Sequence, residues 1–187
     1  AGESARKLYK INELLAASKA GHGDTVTRLL QEGVSVTSKK RNGNTTGLHI
    51  SAGEGHEDIV KLFLDHEANV NIQGYSNWTP LMQASFKGHL TITKLLLGHV
   101  AEVDLQDADG DTALIKAVRG GHSELANVLK LNGADENIEN NAGESARKLY
   151  KINELLAASK AGHGDTVTRL LQEGVSVTSK KRNGNTT

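Results

Sequence analysis

The chain has 187 residues, enough for a sizeable core, but only 3% of them are aromatic, so that core must be built from Leu, Ile, Val and Ala. Its 22 basic residues balance 22 acidic ones, which excludes a global electrostatic bias toward nucleic acid or an anionic membrane. The absence of Cys excludes disulfides and thiolate metal sites and suits a cytoplasmic setting or recombinant cytosolic expression.

The chain opens AGESARKLYK, which lacks the apolar run of a secretion signal, and no later run is long enough for a membrane helix. Residues 1–46 then return, letter for letter, as residues 142–187. Natural repeats drift at tolerant surface positions, so so long a copy is most simply the product of construction or of a very recent duplication.

Between the copies runs a second, shorter period. Gly-His occurs at Gly21-His22, Gly55-His56, Gly88-His89, Gly121-His122 and Gly162-His163, with spacings of 34, 33, 33 and 41. Each pair joins two short apolar stretches, the pattern of an antiparallel helix pair. Thr46, Thr79, Thr112 and Ser145, each 33 apart, supply hydroxyls to cap the first helix of a pair. Pro80 fits the first helical position. Two residues before each cap stands Asn44, Asn77, Gly110 or Gly143, residues that tolerate the positive φ of a tight turn.

The segments Trp78–His89 and Gly110–His122 carry these features in fixed phase and resemble the ankyrin-repeat signature; Glu67-Ala-Asn-Val-Asn71 and Gly133-Ala-Asp135 resemble its closing segment. The resemblance implies an all-α ankyrin solenoid of stacked helix–turn–helix units with short β-hairpin fingers. The units span approximately residues 1–40, 41–73, 74–106, 107–139 and 140–187. Glu67 and Val100 depart from the pattern, standing where Gly33 and Gly133 follow a second helix. Because Val disfavours positive φ, the turn after Leu97 is expected to be reshaped around Gly98. One extra residue between Val34 and Thr46 predicts a bulge in the first finger.

The 41-residue spacing is 33 plus 8, and the surplus falls in residues 145–161, where nothing breaks a helix. One helix of about 17 residues, roughly 25 Å long, is expected at this seam, stepping the stack sideways. The outgoing face of copy two then has no following unit. Val167, Leu170 and Leu171 are assigned to that face, which either stays bare or captures another molecule of the same chain.

Chemistry is sparse. The five Gly-His residues are periodic and read as structural caps. The resemblance implies that His49 hydrogen-bonds within the finger and helix start, and His66 and His99 suit second-helix C-termini. No metal-ligand spacing, phosphate loop, Cys nucleophile or nucleophile elbow is present, so no catalytic residue, metal or cofactor is expected. Lys39-Lys40-Arg41 and its copy Lys180-Lys181-Arg182 are short basic clusters at a finger, too narrow for a nucleic-acid footprint. Tyr75, Trp78 and Phe86 cluster in unit three. By the resemblance, the first two lie on the finger and Phe86 faces the concave groove, with Lys87 beside them. Asp109, Asp111 and Arg119 of unit four, and Thr45 and Glu54 of unit two, complete an aromatic-centred groove with a charged rim. Two partners follow: the chain itself, head to tail, or an unidentified protein held in that groove; a third reading is a duplicated-segment folding switch, since residues 1–141 and 47–187 are circular permutants of one another. Packing of Tyr75 and Trp78 on neighbouring fingers is the bland alternative.

Overall fold

Short helices separated by capped turns dictate a layered stack, because no single pair has enough apolar surface to close a core alone. The computed structural model describes residues 2–39 and 44–176. The described helices are α1 (Gly2–Ala20), α2 (Gly23–Gln31), α3 (Gly47–Glu54), α4 (Glu57–Asp65), α5 (Pro80–Lys87), α6 (Leu90–Gly98), α7 (Ala113–Arg119), α8 (Ser123–Leu131), α9 (Ala146–Ala161) and α10 (Gly164–Gln172), with a 3-10 turn at Tyr75–Asn77. The odd-numbered helices pack side by side from α1 to α9, and α2, α4, α6 and α8 form a second layer behind them. The fingers are minimal hairpins: the described residues contain single antiparallel bridges, Lys39 to Thr46 and Glu139 to Ser145, and no longer strand.

The helix starts are set by local chemistry. Thr79 Oγ1 accepts from Met82 N at 3.2 Å, Thr112 Oγ1 from Ile115 N at 3.3 Å and Ser145 Oγ from Lys148 N at 3.3 Å. The turns before them hold Asn44, Asn77, Gly110 and Gly143 at φ of 50°, 60°, 77° and 73°. The turn after Leu97 is not reshaped as expected. Gly98 stays helical in α6, and Val100 itself takes φ of 61°, alongside 81° at Gly33 and 92° at Gly133. The closing bonds of the turn, Val100 N to Leu97 O at 3.0 Å and Ala101 N to Leu96 O at 3.1 Å, override the residue's preference. The expected bulge of the first finger and the basic clusters fall largely on residues 40–43 and 180–182, outside the described residues.

Successive units lock through Gly-His. His56 Nε2–H donates to Lys19 O at 2.9 Å, His89 to Gly53 O at 3.0 Å and His122 to Phe86 O at 3.1 Å. Each ring lies over the glycine of the preceding pair, where a Cβ on Gly21, Gly55 or Gly88 would fall 2.9, 2.8 or 2.5 Å from it. The next rung is missing: a Cβ on Gly121 would meet nothing within 4 Å. His66 and His99 donate through Nδ1–H to the carbonyls of Leu62 and Leu95, at 2.8 and 2.9 Å, satisfying helix C-termini.

The missing rung is the work of α9. It runs straight through Glu154-Leu155, where the 33-residue period would place the next Gly-His, and turns only at Gly162 (φ 72°). Eight extra residues carry that turn about 12 Å beyond α8. The first half of α9 continues the stack on α7; its second half pairs with α10, whose substantial packing is on α9 and not on α8. This terminal hairpin keeps the internal geometry of its copy. Arg28 meets Glu13 and Glu32 at 2.6 and 2.8 Å, and Arg169 meets Glu154 and Glu173 at 2.7 Å each.

Candidate functional site

Unit three presents an aromatic cleft assembled from its finger and α5. The finger is set by His49 in unit two. Its Nε2–H donates to the Trp78 carbonyl at 2.9 Å, while Thr46 N–H and O–H both point at its Nδ1, at 3.3 and 2.9 Å. Burial pushes this imidazole below its ordinary pKa, favouring the neutral ring that the geometry requires. Gly74 leaves room for it, since a Cβ there would lie 2.8 Å from His49 Nε2.

Trp78 is half-buried and clasped from two sides. Its ring meets Phe86 edge to face, at 5.6 Å between centroids and 79° between planes, and Lys116 Nζ lies 4.4 Å from its centroid. Lys116 is itself buried and pairs with Asp107 Oδ2 at 2.7 Å and Asp111 Oδ2 at 2.8 Å. Asp107 Oδ1 accepts from the backbone N–H of Asp109 and Asp111, both at 2.9 Å. Asp111 also pairs with Arg119, which in turn pairs with Glu144; Asn140 Nδ2 donates to Asp111 Oδ1 at 2.7 Å and to Glu144 Oε2 at 3.2 Å. The indole therefore sits on a buried ionic network that joins units four and five beneath unit three.

Above it opens a cleft of about 320 Å³ lined by Tyr75, Ser76, Trp78, Gln83, Phe86, Lys87 and Asp109. Tyr75 and Phe86 are exposed, and Lys87 Nζ lies 6.0 Å from the Phe86 centroid. Of the residues singled out in the sequence, Tyr75, Trp78, Phe86, Lys87 and Asp109 thus meet in one cleft. Asp111 does not stand on its rim; it is buried beneath, committed to Lys116 and Arg119. Arg119 sits at the edge of that network, while Thr45 and Glu54 of unit two are not among the lining residues. Sequence reasoning missed Lys116, Ser76 and Gln83. Phase would have found two of them, because Ile50, Gln83 and Lys116 are 33 apart and occupy the same place in three units.

The end of the stack is the second exposed site. Leu171 is 54% exposed, against 7% for its twin Leu30, and Leu156 is 43% exposed, against 7% for Leu15. Val167 is half-buried. Leu170, assigned to the open face from sequence, is instead fully buried, like its twin Leu29, because it forms the hairpin's own core. Among the described residues no group of three or more His, Asp or Glu is placed to hold a metal ion, and no helix is long and apolar enough to cross a membrane.

The family model for ankyrin repeats matches three overlapping segments, residues 14–107, 73–140 and 87–181. The chain belongs to the ankyrin-repeat family. Its interlocked helix pairs are therefore ankyrin units, and such repeats serve as protein-interaction scaffolds.

Proposed function

We propose that this ankyrin-repeat chain is a non-catalytic scaffold, engineered or recently duplicated, whose copied ends permit head-to-tail self-association by repeat stacking. One contrast supports the reading. The face that copy one buries against α3 and α4, at Leu15, Ser18, Val26 and Leu30, is open in copy two at Leu156, Ser159 and Leu171 and only half-covered at Val167. An apolar surface with a known complement in the same sequence selects another copy of the chain, and contacts that do not close on themselves extend. Light scattering over a concentration series tests it: the mean mass is expected to rise with concentration, and a constant monomer mass up to the solubility limit rules the reading out.

A second reading is a monomeric binding module. The exposed Tyr75 and Phe86 around Trp78, with Lys87 and Asp109 beside them, form an aromatic centre with charges of both signs, the composition enriched at binding hot spots. Here Phe86→Ala abolishes capture of a protein ligand without changing the chain's mass in solution. An unchanged affinity would remove the cleft from consideration.

A further inference from the structure

The two copies of the 46-residue segment are held by opposite halves. In copy one the second half is seated: Leu15, Ser18, Val26 and Leu30 are buried beside α3 and α4, while Ser4, Ala5, Leu8 and Tyr9 on the first half of α1 are exposed. In copy two the first half is seated. Ser145 and Ala146 are buried, Leu149 and Tyr150 are partly buried against the core, and Lys130 Nζ lies 5.0 Å from the Tyr150 centroid. Its second half is the open one. Leu14, Ala17 and Leu29, with their twins Leu155, Ala158 and Leu170, are buried in both copies and belong to the hairpin itself. One segment therefore carries two separate docking surfaces, and each copy uses one of them.

We infer that a single copy of this segment can join two chains, with α7 of one molecule on its first half and α3 of the next on its second, and that the copy already seated at each end blocks the junction. The partner is a second copy of this chain. Residue for residue, the exposed first half of α1 is the surface that α9 presents to α7. This inference rests on the self-association reading and makes the duplication its restraint. A shared junction contains the same two stacking contacts as two separate chains: one α7 on a first half and one α3 on a second. Joining gains no stacking surface, and it expels one copy, which loses its seat. The unaltered chain thus associates only at high concentration. A chain whose copy two is loosened from α7 bares the face that α1 of another molecule fits, and no expulsion is then required.

The test uses the full chain with Leu149→Glu and Tyr150→Glu, which charge the seat of copy two and leave copy one intact. The concentration at which mass begins to rise is expected to fall by on the order of tenfold or more relative to the unaltered chain. Adding Leu8→Glu and Tyr9→Glu to that variant is expected to restore monomers, whereas those two substitutions alone, at exposed positions, leave mass and circular dichroism unchanged. Aggregation of a merely misfolded chain would not be cured by the added pair, so association that persists in the fourfold variant overturns the inference. So does a twofold variant no more associative than the unaltered chain. An unaltered chain that never associates, beside a twofold variant that does, removes spontaneous self-association and leaves the capping role standing.

Discussion

At the scale of single residues, two positions work against their own preferences. Val100 is a β-branched residue at φ of 61° and is exposed, so its side chain returns little packing for its strain. Left-handed backbone costs an L-residue roughly 1–2 kcal/mol, part of which Gly gives back through the freedom of the unfolded chain. Val100→Gly is therefore expected to stabilise by about 1 kcal/mol and raise the melting temperature by roughly 2–4 °C; a lowered melting temperature would show that the turn is unstrained. His49 carries the opposite kind of tension. Its folded pKa lies below the ordinary value because burial disfavours the imidazolium, so as pH falls the unfolded chain takes up the proton before the folded one does. Its stabilising contribution is complete above the ordinary imidazole pKa of about 6.5 and is lost as pH falls from there toward the depressed value. His49→Gln is expected to be less stable than the unaltered chain at pH 8 and to show a flatter decline between pH 7 and pH 5. Parallel urea midpoints across that range would remove His49 as the titrating group.

At the scale of elements, neighbouring helices trade volume within a constant frame. Unit three starts its first helix with Pro80 and has Leu96 in its second; unit four has Ala113 and Leu129 at the same places in the repeat. Unit two has Gly47, where a Cβ would fall 2.2 Å from Phe63 Cζ. The large ring occupies the room that the missing side chain leaves. Gly47→Pro, which makes unit two read more like its neighbour, is thus expected to destabilise by about 1–3 kcal/mol or more through overpacking. Phe63→Leu also destabilises alone, by leaving a void, but the pair together is expected to recover most of the loss. A double-mutant cycle in urea measures this; additivity within about 0.5 kcal/mol would mean that the two sites are independent.

At the scale of the whole molecule, the chain contains its own control experiment. The residues of α2 and α10 are identical, so their intrinsic exchange chemistry is identical and only their neighbours differ. α2 packs on α1 and α4, while the substantial packing of α10 is on α9. Amide exchange followed by NMR, which separates residues that share a sequence, is expected to show α10 opening with a lower free energy than α2. Equal protection of the two helices in dilute solution would mean that the terminal hairpin is held by something other than its neighbours in the stack.

Helix starts, turns and the identity of the repeat were legible in the linear chain because they rest on chemistry within a few residues: a hydroxyl at a cap, a positive φ two positions before it, a helical period between. The aromatic cleft was legible in part, since Tyr75, Trp78, Phe86, Lys87 and Asp109 recur in phase with the groove. Lys116 was not, because a lysine on a short helix reads as solvated until two carboxylates from a neighbouring turn are found against it. Asp111 and Leu170 were misplaced for the same reason: spacing names a face but not what covers it. The amino-acid order by itself settled that the two ends are the same object. Only the packed stack decided that they are held by opposite halves, because burial belongs to the neighbours of a residue in space: α3 and α4 pack on the second half of copy one, and α7 on the first half of copy two.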